Sequence, residues 1–176
     1  MHIKKVPVVS LEIKAYTRLQ CMLGCLHYKC NPMCPPSCLD TARTKELINS
    51  YEYANIYFDN IEFDNKFDLA QKRKAFQVKL LEEECRLKSE GNFYALCFFS
   101  GACLMCDDDI CNLNECKRPS AGRMAVCATG IDIMKLCESV LKLPEGQSIS
   151  YWKPLFAKSH FKEFNDRYLC LGLIFY

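Results

Sequence analysis

Apolar and polar positions change rhythm several times along the chain, and each change predicts an element. Residues 1 to about 20 carry spaced apolar side chains at Val6, Val8, Val9, Leu11 and Ile13, which predicts an extended lead-in. Residues 21–38 hold Pro32, Pro35 and Pro36, which exclude a regular helix or central strand and predict a loop. A helix is expected from Asp40, a good cap residue, to about Tyr51. The aromatic and β-branched stretch "YANIYFDNIEF" predicts a strand. Helical spacing follows through Phe67, Ala70, Phe76, Leu80, Leu81 and Cys85, with Gly91 as its stop. "NFYALCFFSG" is a continuous apolar run of strand length, hence a buried strand. Gly130-Ile131-Asp132 reads as a break before a helix from about Ile133 to Leu141, stopped ahead of Pro144. "YLCLGLIFY" reads as a buried terminal strand, and the aromatic stretch 151–168 as a pocket wall or docking face.

Helices and strands thus alternate, with two cysteine-rich irregular segments inserted at 21–38 and 101–119. The expected class is α+β, or α/β, with helices packed on a small mixed sheet. At 176 residues, one domain spanning 1–176 is expected. Net charge is +2, which removes the basic footprint of a nucleic-acid binder. No apolar run reaches the roughly 18 residues of a membrane span. The apolar stretch near the N-terminus is too short for a signal-peptide core, so a cytoplasmic protein is expected.

Fourteen cysteines change the picture. A disulfide scaffold goes with secretion and a small core, and neither fits, so clustered thiols point to metal or iron–sulfur ligands. Such a load of thiols is an oxidation liability, which suits an anaerobic host. In "GACLMCDDDICNLNEC", Cys103, Cys106, Cys111 and Cys116 are separated by two, four and four residues. Four thiolates suit zinc or an iron–sulfur cluster, and the wide gaps fit the larger object better. The aspartates at 107–109 read as a solvated turn. Positive charge at Lys117, Arg118 and Arg123 would offset an anionic centre. In "CMLGCLHYKCNPMCPPSC", Cys21, Cys25, Cys30, Cys34 and Cys38 are five candidates for a three- or four-ligand site. His27 between them reads as a surface hydrogen-bonder. Cys85, Cys97, Cys137 and Cys170 are expected to be buried small hydrophobes.

The assembled pattern resembles a cysteine-rich "predicted metal-binding protein" family of anaerobic bacteria and archaea. The elements are Cys21, Cys25 to Tyr28, and Cys34-Pro35-Pro36, then Gly101 with Cys103 and Cys106, Cys111, Cys116 with Pro119, and Gly130-Ile131-Asp132. The match spans roughly 18–135. Two departures stand out. The family carries Gly after the Tyr, where this chain has Lys29 and Cys30. It carries Glu where this chain has Cys127, within "RMAVCA".

The resemblance implies metal or cluster binding by seven shared cysteines: Cys21, Cys25, Cys34, Cys103, Cys106, Cys111 and Cys116. Four ligands make a closed electron-transfer site, and three leave an iron open to substrate. Cys30, Cys38 or Cys127 is then a candidate to fill the open corner or to act beside it, with Cys127 and Cys30 the candidate catalytic thiols. The leading expectation is a protein with two iron–sulfur clusters of the 4Fe-4S type, leaning to an enzyme of redox or sulfur-transfer chemistry. The alternatives are an electron carrier with two closed clusters and a zinc-bound structural or interaction module. The expected partners are a redox protein or a small-molecule substrate, without nucleic acid or membrane; the terminal strand is a candidate oligomer edge.

Overall fold

The computed structural model describes residues 1–106, 111, 115–141 and 167–176. Four strands, β1 (His2–Pro7), β2 (Tyr53–Glu62), β3 (Leu96–Phe98) and β4 (Arg167–Phe175), form one sheet in the order β1-β2-β4-β3. All three pairings are antiparallel, where a mixed sheet was expected. Helices α1 (Ala15–Gly24), α2 (Thr41–Ile48), α3 (Lys66–Ser89) and the short α4 (Ile133–Lys135) complete an α+β architecture. The expected segments at 107–109 and 151–166, and the stop at Pro144, lie outside the described residues.

The last strand lies between β2 and β3 and is buried on both faces, which explains its unbroken apolar sequence. Leu169, Leu171, Leu173 and Phe175 face one core with Val6, Ile56, Phe98, Ile131 and Ile133. Tyr168, Cys170 and Ile174 face the other, under Leu69, Phe76, Leu80 and Leu87 of α3. This is the period of two that a strand imposes. Gly172 is where α3 comes closest. A Cβ there would stand 2.3 Å from Leu80 Cδ1, so the helix lies directly on the backbone of β4.

Local chemistry sets the helix limits. Asp40 caps α2 by accepting from the Arg43 N–H at 2.8 Å. Asn65 caps α3 by accepting from Phe67 and Asp68 N–H groups, both at 3.0 Å. Gly91, with φ of +100°, turns the chain out at the far end.

Four expectations need correction. The lead-in is extended only through β1; residues 15–24 are helical, so Cys21 sits on a helix and not in a loop. The prolines begin eight residues past the helix end, at Pro32, and exert no veto on it. The run at 92–101 forms a strand only at Leu96–Phe98, and Phe93 and Tyr94 are exposed. Cys85 and Phe67 are exposed on α3, because the buried face runs instead through Gln77, Leu80, Glu84 and Leu87. Cys97, Cys137 and Cys170 are buried as expected. The predicted helix at 133–141 begins as α4 and continues as a π-helix over Leu136–Leu141.

Candidate metal centre

Both cysteine groups hang from one end of the sheet. Beyond β3 the chain runs through Phe99 and Ser100 into the 101–119 loop. It returns at 124–126, where Met124 O accepts from Phe99 N–H at 2.8 Å and Val126 N–H donates to Phe99 O at 3.0 Å. The next residue is Cys127, which opens a 3-10 turn over Cys127–Thr129.

Two buried polar side chains on α3, seven residues apart and so on one face of the helix, fasten this loop. Gln77 is fully buried and uses both ends of its amide. Its nitrogen donates to Ser100 O (3.1 Å) and Ala102 O (2.9 Å), and its oxygen accepts from Leu104 N–H (2.9 Å). Glu84, 1% exposed, accepts from Arg123 Nε and Nη2, both at 2.9 Å, from Lys88, and from the Cys97 N–H at 3.2 Å. Burial alone would push the Glu84 carboxyl up. The hydrogen bonds from Arg123 and Lys88 outweigh it and hold the carboxyl below its ordinary range.

Within the loop, Cys103, Cys106, Cys111 and Cys116 line one cavity with Met105 and Arg118. Its opposite wall comes from the other cysteine segment: His27, Cys30, Asn31 and Met33. Cys103 is raised by burial, opposed by hydrogen bonds from the Met105 and Arg123 backbone N–H groups. Cys111 is also raised by burial, and neighbouring thiols add to the effect. Arg118 donates to Met105 O at 3.1 Å, which keeps its guanidinium at this cavity.

The first group gathers around α1. Cys21 and Cys34 are buried and Cys25 partly so. The 127–129 turn packs against α1 from about a hundred residues further along the chain. Interaction with the Cys127 thiol holds Cys21 below the ordinary thiol range, against its burial and with help from the Arg18 charge. The same interaction, with burial, holds Cys127 well above that range. Burial pushes Cys34 up to about 12, against a hydrogen bond from the Asn31 side chain. Cys25 is raised by burial and receives backbone N–H groups of His27 and Tyr28.

The juxtaposition of Cys21 with Cys127 follows from the Gly-Ile-Asp motif. Lys14 N–H donates to Gly130 O at 2.8 Å, Ile13 bridges Ile131, and Asp132 N–H donates to Glu12 O at 2.8 Å. Tyr16 hydroxyl donates to Asp132, which raises the phenol to about 12. Gly130 has φ of +98°, and a Cβ there would lie 2.6 Å from Thr41 Cγ2. The motif is therefore a clamp for the base of α1. Arg18 adds a second tie, donating to Leu39 O and to Ala128 O.

The remaining candidates are placed differently. Cys38 is buried between Arg18 Nη1 (3.8 Å) and Ala128 O (3.9 Å). Cys30 is exposed, donates to Leu26 O at 3.1 Å, and lies at the cavity of the second group. His27 lines that same cavity. Arg18, Asn31, Gln77 and Glu84 were not singled out from the sequence. A polar residue repeated after seven on an otherwise charged helix was the only available signal for the last two.

The thiols of both groups are soft donors, so the donor chemistry fits a thiolate-bound metal or cluster. Among the described residues, no three His, Cys, Asp or Glu side chains converge as one metal ion requires. No helix among them is long and apolar enough to cross a membrane.

No curated protein and no solved structure matches the chain. The sequence model of one family matches residues 4–145, which include every cysteine of both groups. The chain belongs to that family, the predicted metal-binding proteins (DUF2284).

Proposed function

We propose that the protein holds two iron–sulfur clusters of the four-iron type and uses them in redox or sulfur-transfer chemistry in the cytoplasm. Cys103, Cys106, Cys111 and Cys116 would hold one cluster; Cys21, Cys25 and Cys34 would hold three corners of the other. The observation that carries this reading is the sorting of the seven cysteines into two thiol groups, one lining a single cavity and one gathered at α1. When bound, the clusters would supply one-electron transfer.

The chain's own residues do the rest. Backbone N–H groups of Met105 and Arg123, and of His27 and Tyr28, donate to ligand sulfurs and offset their negative charge. Arg18 and Arg118 place one guanidinium at each site. His27, Cys30, Asn31 and Met33, from the segment that also carries Cys25 and Cys34, line the second cavity. Electrons would come from a redox partner protein or leave to a small-molecule substrate. A first site with an open corner makes an enzyme that activates substrate; a closed corner makes an electron carrier.

The test is elemental analysis of protein purified without oxygen. Iron and acid-labile sulfide at about eight each per chain is the expected result for two four-iron clusters. Zinc without sulfide would overturn the reading and leave a structural or interaction module.

A further inference from the structure

We propose that the outer face of α1 is a dimer interface, on which a second copy of this chain packs the same helix about a two-fold axis. The inference concerns the fold alone and holds whichever metal the thiols bind.

The burial pattern of α1 is inverted. Thr17 and Cys21 are buried, at 2% and 6% exposure, on the side that meets the 127–129 turn. The large apolar side chains lie outside. Tyr16, Leu19, Met22, Leu23 and, just past the helix, Leu26 are 50%, 49%, 56%, 75% and 67% exposed. They share one face, because residues three, four and seven apart on a helix stand above one another. Positions 16, 19, 23 and 26 alternate gaps of three and four, which is the narrow seam that one helix offers to another. A lone surface helix would carry polar side chains there.

Area and charge point to a second copy. The five side chains leave roughly 600 Å² uncovered, the upper end for one patch on a monomer and near the roughly 800 Å² per partner of a specific interface. The face carries no charge of its own. Arg18, the only charged residue of α1, turns inward and donates to Leu39 O and Ala128 O. Glu12 and Lys14, at the start of the helix, neutralise each other at 3.0 Å. An anionic membrane is met by a helix rich in Lys and Arg, and a charged redox protein by a patch of opposite sign; this face has neither. An uncharged seam meets its own image without like-charge repulsion, as an isologous contact requires. Tyr16 is already held by its hydroxyl bond to Asp132, so ordering its ring in the contact costs little entropy. The terminal strand does not compete for this role, since β4 lies inside the sheet between β2 and β3.

The experiment is sedimentation velocity of the full-length chain without oxygen, from about 1 to 100 µM, which brackets a micromolar dimer. Wild type is expected to reach twice the 20.3 kDa chain mass as concentration rises. Leu23→Glu and Leu23→Lys each place like charges across the two-fold axis and should each halve the mass to that of a monomer. Leu23 is exposed in the single chain, so far-UV circular dichroism and metal content should stay at wild-type values. Mixing the two variants should restore the dimer, because Glu then faces Lys. Wild type that remains a monomer at every concentration overturns the proposal, including where it binds phosphatidylserine vesicles instead. A dimer that survives both single variants overturns it as well, since the contact would then lie on another face. The wild-type mass and the mixing result decide the matter even if one variant folds poorly.

Discussion

Lys29 has φ of +60°, the left-handed region that an L side chain rarely adopts. It follows Tyr28, and its N–H is committed to Pro35 O at 3.0 Å, so the loop cannot relax it without losing that bond. The strain accounts for the Gly expected after this Tyr in the resembled pattern. Lys29→Gly should stabilise the protein by about 0.5–1 kcal/mol, the left-handed penalty less the entropy of glycine. An unchanged or lower urea midpoint would show that the loop is not strained here.

Glu84 makes a second prediction at this scale. Its folded-state carboxyl sits below its ordinary value near 4.5, so the folded state favours the ionised form. A depressed carboxyl contributes stability fully above its unfolded value and loses it as pH falls through the folded value. Wild-type stability should therefore decline below about pH 4.5. Glu84→Gln should remove that part of the pH dependence. Glu84→Ala, which leaves Arg123 buried without its partner, should cost about 3–5 kcal/mol at neutral pH. Parallel acid-denaturation slopes for wild type and Glu84→Gln would refute the assignment.

At the scale of elements, α3 acts as the anchor for the second cysteine loop. Gln77 satisfies three backbone groups at 100, 102 and 104, and they lead directly into Cys103. Gln77→Leu keeps the volume and strips all three bonds. Each buried group left unsatisfied costs ~1–3 kcal/mol, so the loop should open before the sheet does. The expected outcome is loss of iron from the Cys103 group with the first group still loaded, read as about half the wild-type iron and sulfide. Equal loss from both groups would mean that α3 supports the whole fold rather than this loop. On the other side, α1 is held by backbone bonds to 130–132, and its own sequence gives little sign of a helix. It has no acidic residue in its first turn, no basic residue in its last and no side-chain cap. Packing against the 127–129 turn, not propensity, keeps it helical.

For the whole molecule, ligand binding and folding are linked. Cys21 on α1 reaches the 127–129 turn only when the helix docks there, so metal or cluster binding at the first group should stabilise the docked state. Loaded protein should melt higher than stripped protein by ~2–4 °C for each kcal/mol of linkage, as expected for a chain of this size. Scanning calorimetry of both forms under argon measures it. Coincident melting curves would mean that the thiol groups are preformed without regard to the metal. The buried strand β4 should remain intact in both, since both of its faces are covered by apolar side chains rather than by the sites.

The sequence by itself determined the elements whose signal is local. Asp40 starts α2, Gly91 stops α3, and the apolar run at 168–176 becomes a buried strand, because caps, left-handed glycines and hydrophobic periods act within a few residues. It also determined the Cys103 group, whose four thiols lie within fourteen consecutive residues and line one cavity. Other features were decided only by the tertiary structure. Helix α1 was hidden because its stability comes from residues more than a hundred positions away. The burial of Gln77 and Glu84 was hidden because α3 looks charged on every side, and only the docked loop shows which face is covered. The docking of the 127–129 turn, which carries Cys127, against α1 was hidden for the same reason. Spacing along a chain reports which thiols can meet through a short loop, whereas a partner that arrives from across a sheet is set by the fold that carries it.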